Sequence, residues 1–299
     1  MKKTLIDLHM HSFFSGDGEF SPADLVRKCK GAGISVMSVT DHNSVRGNAE
    51  ARKEAEAAGI KYISGIEIDC MFQGKNLHLL GYGIDESSPD FERLEERNLS
   101  SEKNASMERL LLTRRLGFEL SEAELDAIPT NIGDGTGIWI GETFAEVLLG
   151  KEEYMDHKLL LPYRAGGAWS DNPFVNFYWD YYSQGKPCYV KIDYPDIRDA
   201  IALIKNNGGW AVLAHPGHTL KEESELFGEI AKTGIDGAEV FCSYHDEKIA
   251  KYFYEQAKIH SLMTTCGSDY HGKIKPAVRL GETGCWIDGE QLMRELGLT

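Results

Sequence analysis

Asp7-Leu8-His9-Met10-His11 closes the first apolar segment of the chain with a histidine pair. In an extended strand, side chains two residues apart point to the same face, so both imidazoles can reach one cation. Further imidazoles and carboxylates recur downstream, each near the end of an apolar run: Asp41-His42, Glu67, His78, His215, and Asp269 with His271. A single pair would be weak evidence. The series, spread over the whole length, predicts a polynuclear metal centre at one end of a barrel of strands.

The intervening sequence supplies that barrel. Thr4–His9 reads as a strand. Ser21-Pro22 reads as an N-cap followed by proline at the first helical position, with the helix running to Gly31-Ala32-Gly33. Strands are predicted at Ile34–Thr40, Ile60–Ile68 and Leu77–Tyr82, with a helix over Asn48–Ala58. From about residue 98 the rhythm changes. A helix is expected over Ser101–Leu116, then a capping box at Ser121 with Glu124, a glycine-rich patch at Asn131–Gly137 and an aromatic stretch at Asn172–Tyr182.

Alternation then resumes, with helices predicted at Ile197–Asn207, Glu222–Thr233 and Asp246–His260. The strands expected between them are Trp210–His215, Gly237–Phe241 and Leu262–Gly267. Alternating strands and helices imply an α/β fold with a parallel sheet and right-handed crossovers. The expected organisation is a βα barrel over 1–97 and 188–299, interrupted by a helical insertion at 98–187.

Bulk composition narrows the function. With 299 residues, 42% hydrophobic and 26% charged, the chain can bury a sizeable core. A formal net charge of −15 argues against gripping extended nucleic acid through its phosphates. It leaves room for a small phosphorylated substrate, because bound cations reverse the local field. No apolar run approaches the roughly 20 residues of a membrane span. The basic start Met1-Lys2-Lys3 is followed by an apolar run that ends at Asp7, so no signal peptide is expected. Six cysteines lie far apart with no C-x-x-C pair, which predicts reduced thiols in a cytoplasmic protein and no cysteine-rich zinc site.

Taken singly, each donor has a plainer reading. His78 alone is a satisfied core residue, and His157, His218 and His260 are read that way. Asp41-His42 alone is a loop turn or helix cap, and Glu67 a structural ion pair. For the set as a whole coincidence is improbable, and the H-x-H pair at a strand terminus decides for ligands, since functional residues of parallel βα folds collect at the C-terminal ends of strands. Mixed imidazole and carboxylate donors suit zinc, manganese or iron, and a carboxylate can bridge two ions.

The motifs His9-x-His11, Ser15-Gly16-Asp17-Gly18, Thr40-Asp41-His42-Asn43, Gly65-Ile66-Glu67-Ile68, His78-Leu79-Leu80-Gly81-Tyr82, Leu213-Ala214-His215-Pro216 and Gly267-Ser268-Asp269-Tyr270-His271 resemble those of the PHP (polymerase and histidinol phosphatase) superfamily, and stand in that family's order. The resemblance implies a distorted (β/α)7 TIM-like barrel whose cleft holds two or three divalent metal ions (Mn, Fe or Zn). Carried over residue by residue, His9, His11, Glu67 and Asp269 would hold one ion. Glu67 would bridge to a second ion held by His78 and His215. Asp17, His42 and His271 match a third position. Many family members have histidine where Asp17 stands, and aspartate is found in the small-molecule phosphoesterase branch. Ser15-Gly16-Asp17-Gly18 would also favour a tight turn without any site role.

The implied chemistry is hydrolysis of small phosphate esters by a water or hydroxide bridging two cations, which also neutralise the developing charge. The leaving oxygen needs a proton, expected from Asp17, His42, His271 or His245. Asp41 is expected to orient a ligand imidazole. Related phosphoesterases often have histidine or an aromatic residue near the phosphate where Tyr244-His245 stands; the plainer reading of His245 is a neighbour of the helix cap Asp246. In the insertion, Arg164, Ser170 and Asn172 are candidate substrate contacts, Arg164 as a fork onto phosphate or carboxylate. Lys103 and Lys186 are weaker candidates. Arg164 also reads as a surface residue, and the aromatics of Phe174–Tyr182 as insertion core. Relatives commonly carry a histidine- and arginine-containing segment here, and this chain departs from it with Ser170-Asp171-Asn172.

The expected substrates are nucleotide or phosphorylated-sugar mono- or cyclic diesters. The alternatives are a histidinol-phosphate phosphatase, a nuclease acting on nucleic-acid ends, and a non-catalytic metal-binding module. The module should lack one or more ligands, whereas every matched position here carries a competent donor.

Overall fold

Leu5–Asp7 forms β1, which pairs in parallel with β2 (Ile34–Met37); β2 pairs in parallel with β3 (Lys61–Tyr62). The computed structural model describes residues 5–297 except 130, 131, 133, 134 and 136. Thr4 and most of the glycine-rich patch expected at Asn131–Gly137 lie outside the described residues. Ser21 caps α1 (Pro22–Ala32) by accepting from the Asp24 amide, and Gly33 closes it at φ 79°. A left-handed residue there suits glycine, which has no Cβ to clash. α2 (Asn48–Ala58) joins β2 to β3. To this point the predicted crossovers are present, but the strand predicted at Ile60–Ile68 is divided: β3 ends at Tyr62, and a separate strand of the other sheet begins at Gly65.

The next step departs from them. β4 (Gly65–Phe72) and β5 (Lys75–Tyr82) are antiparallel, not successive parallel strands. Only Gln73 and Gly74 connect them, at φ 49° and 81°, the left-handed pair of a two-residue hairpin. A parallel crossover needs about a dozen residues, so this connection excludes one. β5 also pairs antiparallel with β6 (Trp210–Leu213), and β6, β7 (Gly237–Cys242) and β8 (Met263–Gly267) then run parallel.

Between β5 and β6 lie α3 (Pro89–Arg115), α4 (Glu122–Asp126), α5 (Gly141–Gly150), α6 (Pro173–Tyr181) and α7 (Ile197–Asn206). α3 starts before the predicted Ser101 because Ser88 caps it and Pro89 opens it. The capping box at Ser121 and Glu124 is formed as expected. The helix predicted at Glu222–Thr233 is broken: α8 (Pro216–Leu220) and α9 (Phe227–Ala231) flank a 3-10 segment in which Glu223 leaves helical φ/ψ. α10 (Glu247–Ile259) precedes β8, and α11 (Gly289–Glu295) follows it. Among the described residues, no helix is long and apolar enough to cross a membrane.

The fold is α/β, with a three-stranded and a five-stranded sheet linked by hydrogen bonds beside β1 and from the segment after β2. On one side Leu8 N–H donates to the Cys266 carbonyl (3.0 Å) and Asp269 N–H to the His9 carbonyl (2.8 Å). On the other, Glu67 N–H donates to the Asp41 carbonyl (3.1 Å) and Asn43 N–H to the Glu67 carbonyl (2.7 Å). These seams run from the segments after β1 and β2 to β8, the turn after it, and β4, and they bring the donor-bearing segments side by side. One apolar core lies under the sheets, around Ile66, Leu79, Val212 and Phe241. A second, around Leu110, Phe118, Phe144 and Phe177, belongs to the helices inserted before β6.

Gly65 sits where the β2 extension presses on β4. A Cβ there would lie 2.2 Å from Ser38 Oγ and 2.8 Å from the Val39 carbonyl oxygen. Gly65→Ala is therefore expected to cost on the order of 1–3 kcal/mol. The check is a lower denaturant midpoint at unchanged slope; an unchanged midpoint would show that the seam yields freely.

Candidate metal centre

Each side chain reaches the site from the end of a short element. His9 and His11 lie just past β1, Asp17 past a 3-10 turn (Phe13–Ser15), and His42 past β2. His215 follows β6, and Asp269 and His271 follow β8. Glu67 and Asp69 share a face of β4, and Asp69 stands directly opposite His78 on β5. The antiparallel hairpin thus delivers His78 from mid-strand. The backbone bends sharply at two donors, with His215 at φ 26° and Asp269 at φ 57°. Such left-handed conformations cost an L residue energy and cluster at functional sites.

The side chains converge in four overlapping groups, each with its donor atoms within 4.8 Å of one another. In the first, His9 Nε2 and His11 Nε2 lie 3.0 and 3.1 Å from Glu67 Oε2, and 3.3 and 3.1 Å from Asp269 Oδ1. In the second, Glu67 Oε1 is 2.9 Å from His78 Nδ1 and 3.2 Å from His215 Nε2. Glu67 therefore turns one oxygen to each group. In the third, Asp17 Oδ2 is 3.0 Å from His271 Nε2 and 3.7 Å from His42 Nε2, with His11 adjoining. The fourth joins His42 and His78 to Asp69, whose Oδ1 lies 3.1 Å from His78 Nε2. All nine expected ligands are thus brought together, and Asp69 joins them. Its signal was the same-face alternation Glu67-x-Asp69, unread in the sequence.

The remaining imidazole nitrogens explain the aim of the rings. His9 Nδ1 faces Glu239 at 3.0 and 3.2 Å, and His11 Nδ1 lies 2.8 Å from Ser15 Oγ. His215 Nδ1 is 2.9 Å from Thr219 Oγ1, whose hydroxyl donates to the His215 carbonyl and so accepts from the ring. His271 Nδ1 donates to the Asp269 carbonyl at 2.9 Å. With one nitrogen committed as donor, the other presents its lone pair to the centre. Asp41 does not take the expected orienting role. Its carboxylate accepts from Ser12 N–H (2.6 Å) and Ser12 Oγ–H (2.7 Å), and so holds the backbone after His11. Glu239 and Asp69 touch the imidazoles instead.

Electrostatics fit cations. Burial alone would lower His11 and His78, but Asp269 and Glu67 carry His11 up to about 9, and Glu67 and Asp69 carry His78 up to about 10. Burial alone would raise Asp17, yet His271 and His42 hold it well below the usual carboxylate range. Protons on the rings stand in for positive charge the carboxylates demand. Three buried atoms of the third group, Asp17 Oδ1, His42 Nδ1 and His271 Nε2, lack any hydrogen bond. His271 Nε2 is close to Asp17 Oδ2 but not in hydrogen-bonding geometry. Buried orphan donors of this kind, and two imidazole nitrogens 3.1 Å apart at His9 and His11, are what a shared divalent ion would satisfy. Glu239→Gln is expected to weaken ion affinity roughly 10- to 100-fold, as loss of an outer carboxylate does; titration with manganese or zinc measures it, and unchanged affinity would remove Glu239 from this role.

The centre opens on a cleft lined by Asp17, His42, Asp69 and His78 on one side, and by Arg109, Glu142, Tyr178 and Trp179 from the inserted helices on the other. Lys275, buried at the edge, places Nζ 2.7 Å from Asp269 Oδ2, where Tyr244 Oη also donates at 2.5 Å. Sequence patterning carries no signal for Lys275, Arg109 or Glu142.

The other expected contacts lie elsewhere. His245 is no proton donor to the leaving oxygen: Nε2 accepts from Gly217 N–H (2.9 Å) and Nδ1 donates to the Val240 carbonyl (2.7 Å), so both nitrogens serve the backbone. Arg164 spends its guanidinium on the carbonyls of Leu149 (3.0 Å) and Tyr154 (3.1 Å). Ser170 donates to the Gly167 carbonyl, and Asn172 Oδ1 accepts from Ala277 N–H. These three tie loops together, and none lines the cleft. Of the aromatics, Phe177 and Tyr182 are insertion core, while Tyr178 and Trp179 face the cleft.

Converging imidazoles and carboxylates at one end of an α/β fold are suited to holding metal ions. The PHP domain model matches residues 7–259, and the chain belongs to that family. It is 28% identical over 278 residues to a phosphoribosyl 1,2-cyclic phosphate 1,2-diphosphodiesterase of Eggerthella lenta, covering 92% of this chain and 97% of the relative. It is also 28% identical over 283 residues to a 3′,5′-nucleoside bisphosphate phosphatase of Chromobacterium violaceum (93% and 91%). A 5′-3′ exoribonuclease of Haemophilus influenzae is 30% identical over 268 residues (89% of each chain). Among solved structures, a proposed metal-dependent phosphoesterase from Bifidobacterium adolescentis superposes with a TM-score of 0.74 at 25% identity, over 98% of this chain and 95% of that one. This chain is a metal-dependent phosphoesterase.

Proposed function

We propose that the protein hydrolyses small phosphate esters, nucleotide or phosphorylated-sugar mono- or cyclic diesters, with two or three ions of manganese, iron or zinc. His9, His11, Glu67 and Asp269 would hold one ion, Glu67, His78 and His215 a second, and Asp17, His42 and His271 a third. Bound ions would supply Lewis-acid charge and a water of lowered pKa. The observation that carries this reading is Glu67, whose two oxygens face two different imidazole pairs.

The chain's own groups then do the positioning. Glu239 and Thr219 fix the tautomers of His9 and His215, and Ser15 holds the His11 ring in place. Lys275, a buried cation beside Asp269, adds fixed positive charge where a phosphate would sit against the ligands. Asp17 and His42 line the cleft, where the leaving oxygen would emerge, and His271 lies buried behind Asp17. Residues 98–187 form the cap over this mouth, with 1–97 and 188–299 carrying the centre. Support for the cap comes from its separate core and from α5 and α6 lining the cleft.

The test is phosphate release by protein reconstituted separately with manganese, zinc and iron, on a panel of phosphomonoesters, bisphosphates and cyclic phosphodiesters. Turnover of one chemical class is expected. Silence across the panel with every metal would overturn the reading.

A further inference from the structure

The wall of the cleft opposite the ligands has its cations already committed. Arg109 Nη1 donates to Glu102 Oε2 at 2.6 Å and to the Trp139 carbonyl at 3.2 Å. Glu95, on the same wall, is held by Arg46 at 2.9 Å. Lys275 belongs to the ligand side, on Asp269. Glu142 is different. It stands at the second position of α5, 6% exposed, and lines the cleft. Among the described residues no other residue gives it a hydrogen bond or an ion pair.

Apart from its own backbone N–H, the carboxyl is given no donor by the described residues, and burial makes that costly unless a ligand supplies one. The partner it suits is a hydroxyl or amino donor. A second phosphate is the opposite case. It would bring further negative charge to a wall where the carboxyls Glu95, Glu102 and Glu142 outnumber the one arginine among the described residues, and Arg109 could meet it only by leaving Glu102. That would leave a buried carboxylate uncompensated.

Building on the phosphoesterase reading above, we propose that Glu142 binds a hydroxyl or amino group on the organic part of the substrate, and that the cleft selects esters carrying a single phosphate over bisphosphates. Tyr178 and Trp179 give that organic part an aromatic wall. Selection here has an attractive element, Glu142, and a repulsive one, the carboxylates behind it.

The experiment compares kcat/KM for matched pairs on the metal-loaded full chain: adenosine 3′-monophosphate against adenosine 3′,5′-bisphosphate, and ribose 5-phosphate against ribose 1,5-bisphosphate. The single-phosphate member is expected to win by roughly 10²-fold, the scale on which one well-placed pocket contact discriminates. Glu142→Leu should raise KM for the hydroxylated monoesters at least about tenfold with a smaller change in kcat, and Glu142→Gln should recover most of it. The wild-type comparison stands even if a variant folds poorly. Equal or better turnover of the bisphosphates would overturn this selection while leaving the phosphoesterase reading intact. Silence on all four compounds would overturn this selection, and silence on the cyclic phosphodiesters as well, with every metal, would overturn both.

Discussion

Glu67→Gln is expected to reduce phosphate release by roughly 10³-fold, about 4 kcal/mol of transition-state stabilisation at 1.36 kcal/mol per decade. The size follows from its position. Oε2 lies 3.0–3.1 Å from the Nε2 atoms of His9 and His11, and Oε1 2.9–3.2 Å from His78 and His215. Glutamine keeps the volume but turns an NH2 donor toward one imidazole pair, whose lone pairs would then meet hydrogens instead of a shared cation. Both of those groups should lose affinity together. Asp269→Ala, by contrast, removes a donor from the first group alone. Elemental analysis after reconstitution should therefore show a larger ion deficit in Glu67→Gln than in Asp269→Ala. Wild-type ion content and rate in Glu67→Gln would dismiss the bridging role.

Chelation is expected to destabilise the fold strongly. Glu67, Asp269 and Glu239 are buried carboxylates facing buried imidazoles, an arrangement that makes sense around cations. An ion present at 1,000 times its dissociation constant contributes about 4 kcal/mol to stability. For a chain of this size, that corresponds to a melting temperature lower by roughly 10 °C per ion lost, at about 2–4 °C for each kcal/mol. Melting curves before and after chelation, and after restoring manganese or zinc, check it. Coincident curves would count against tightly held ions. The ion-free protein should also respond to pH in a particular direction. The folded-state pKa values of His11, about 9, and His78, about 10, lie above the ordinary 6.5. Their stabilising contribution is therefore full below about 6.5 and lost as pH rises through 9 to 10. Ion uptake must displace those protons, so affinity should rise across the same interval.

The α/β class and the first two crossovers were legible because apolar runs, N-cap residues and closing glycines act locally. The Ser21-Pro22 cap and the left-handed Gly33 are settled within a few residues of themselves. The hairpin was misread because the apolar runs before and after Gln73-Gly74 look alike whether the strands run parallel or antiparallel. The turn that decides it is two residues long. Arg164 and His245 were misplaced for a related reason: an arginine in a glycine-rich loop or a histidine after a strand shows its chemical type, not which carbonyl it bonds.

The sequence by itself marked the nine donors that converge, through the H-x-H pair after the first strand and the motif series that follows it. Tertiary structure alone decided what surrounds them. Asp69 is set against His78 by hairpin register, Glu239 behind His9 by a strand 230 residues away, and Lys275 against Asp269 by the turn after β8. Glu142 and Arg109 meet the centre only because the inserted helices fold back over it. Ligand identity is written in local chemistry. The fit of a substrate depends on which distant surfaces are brought together, and no local pattern encodes that.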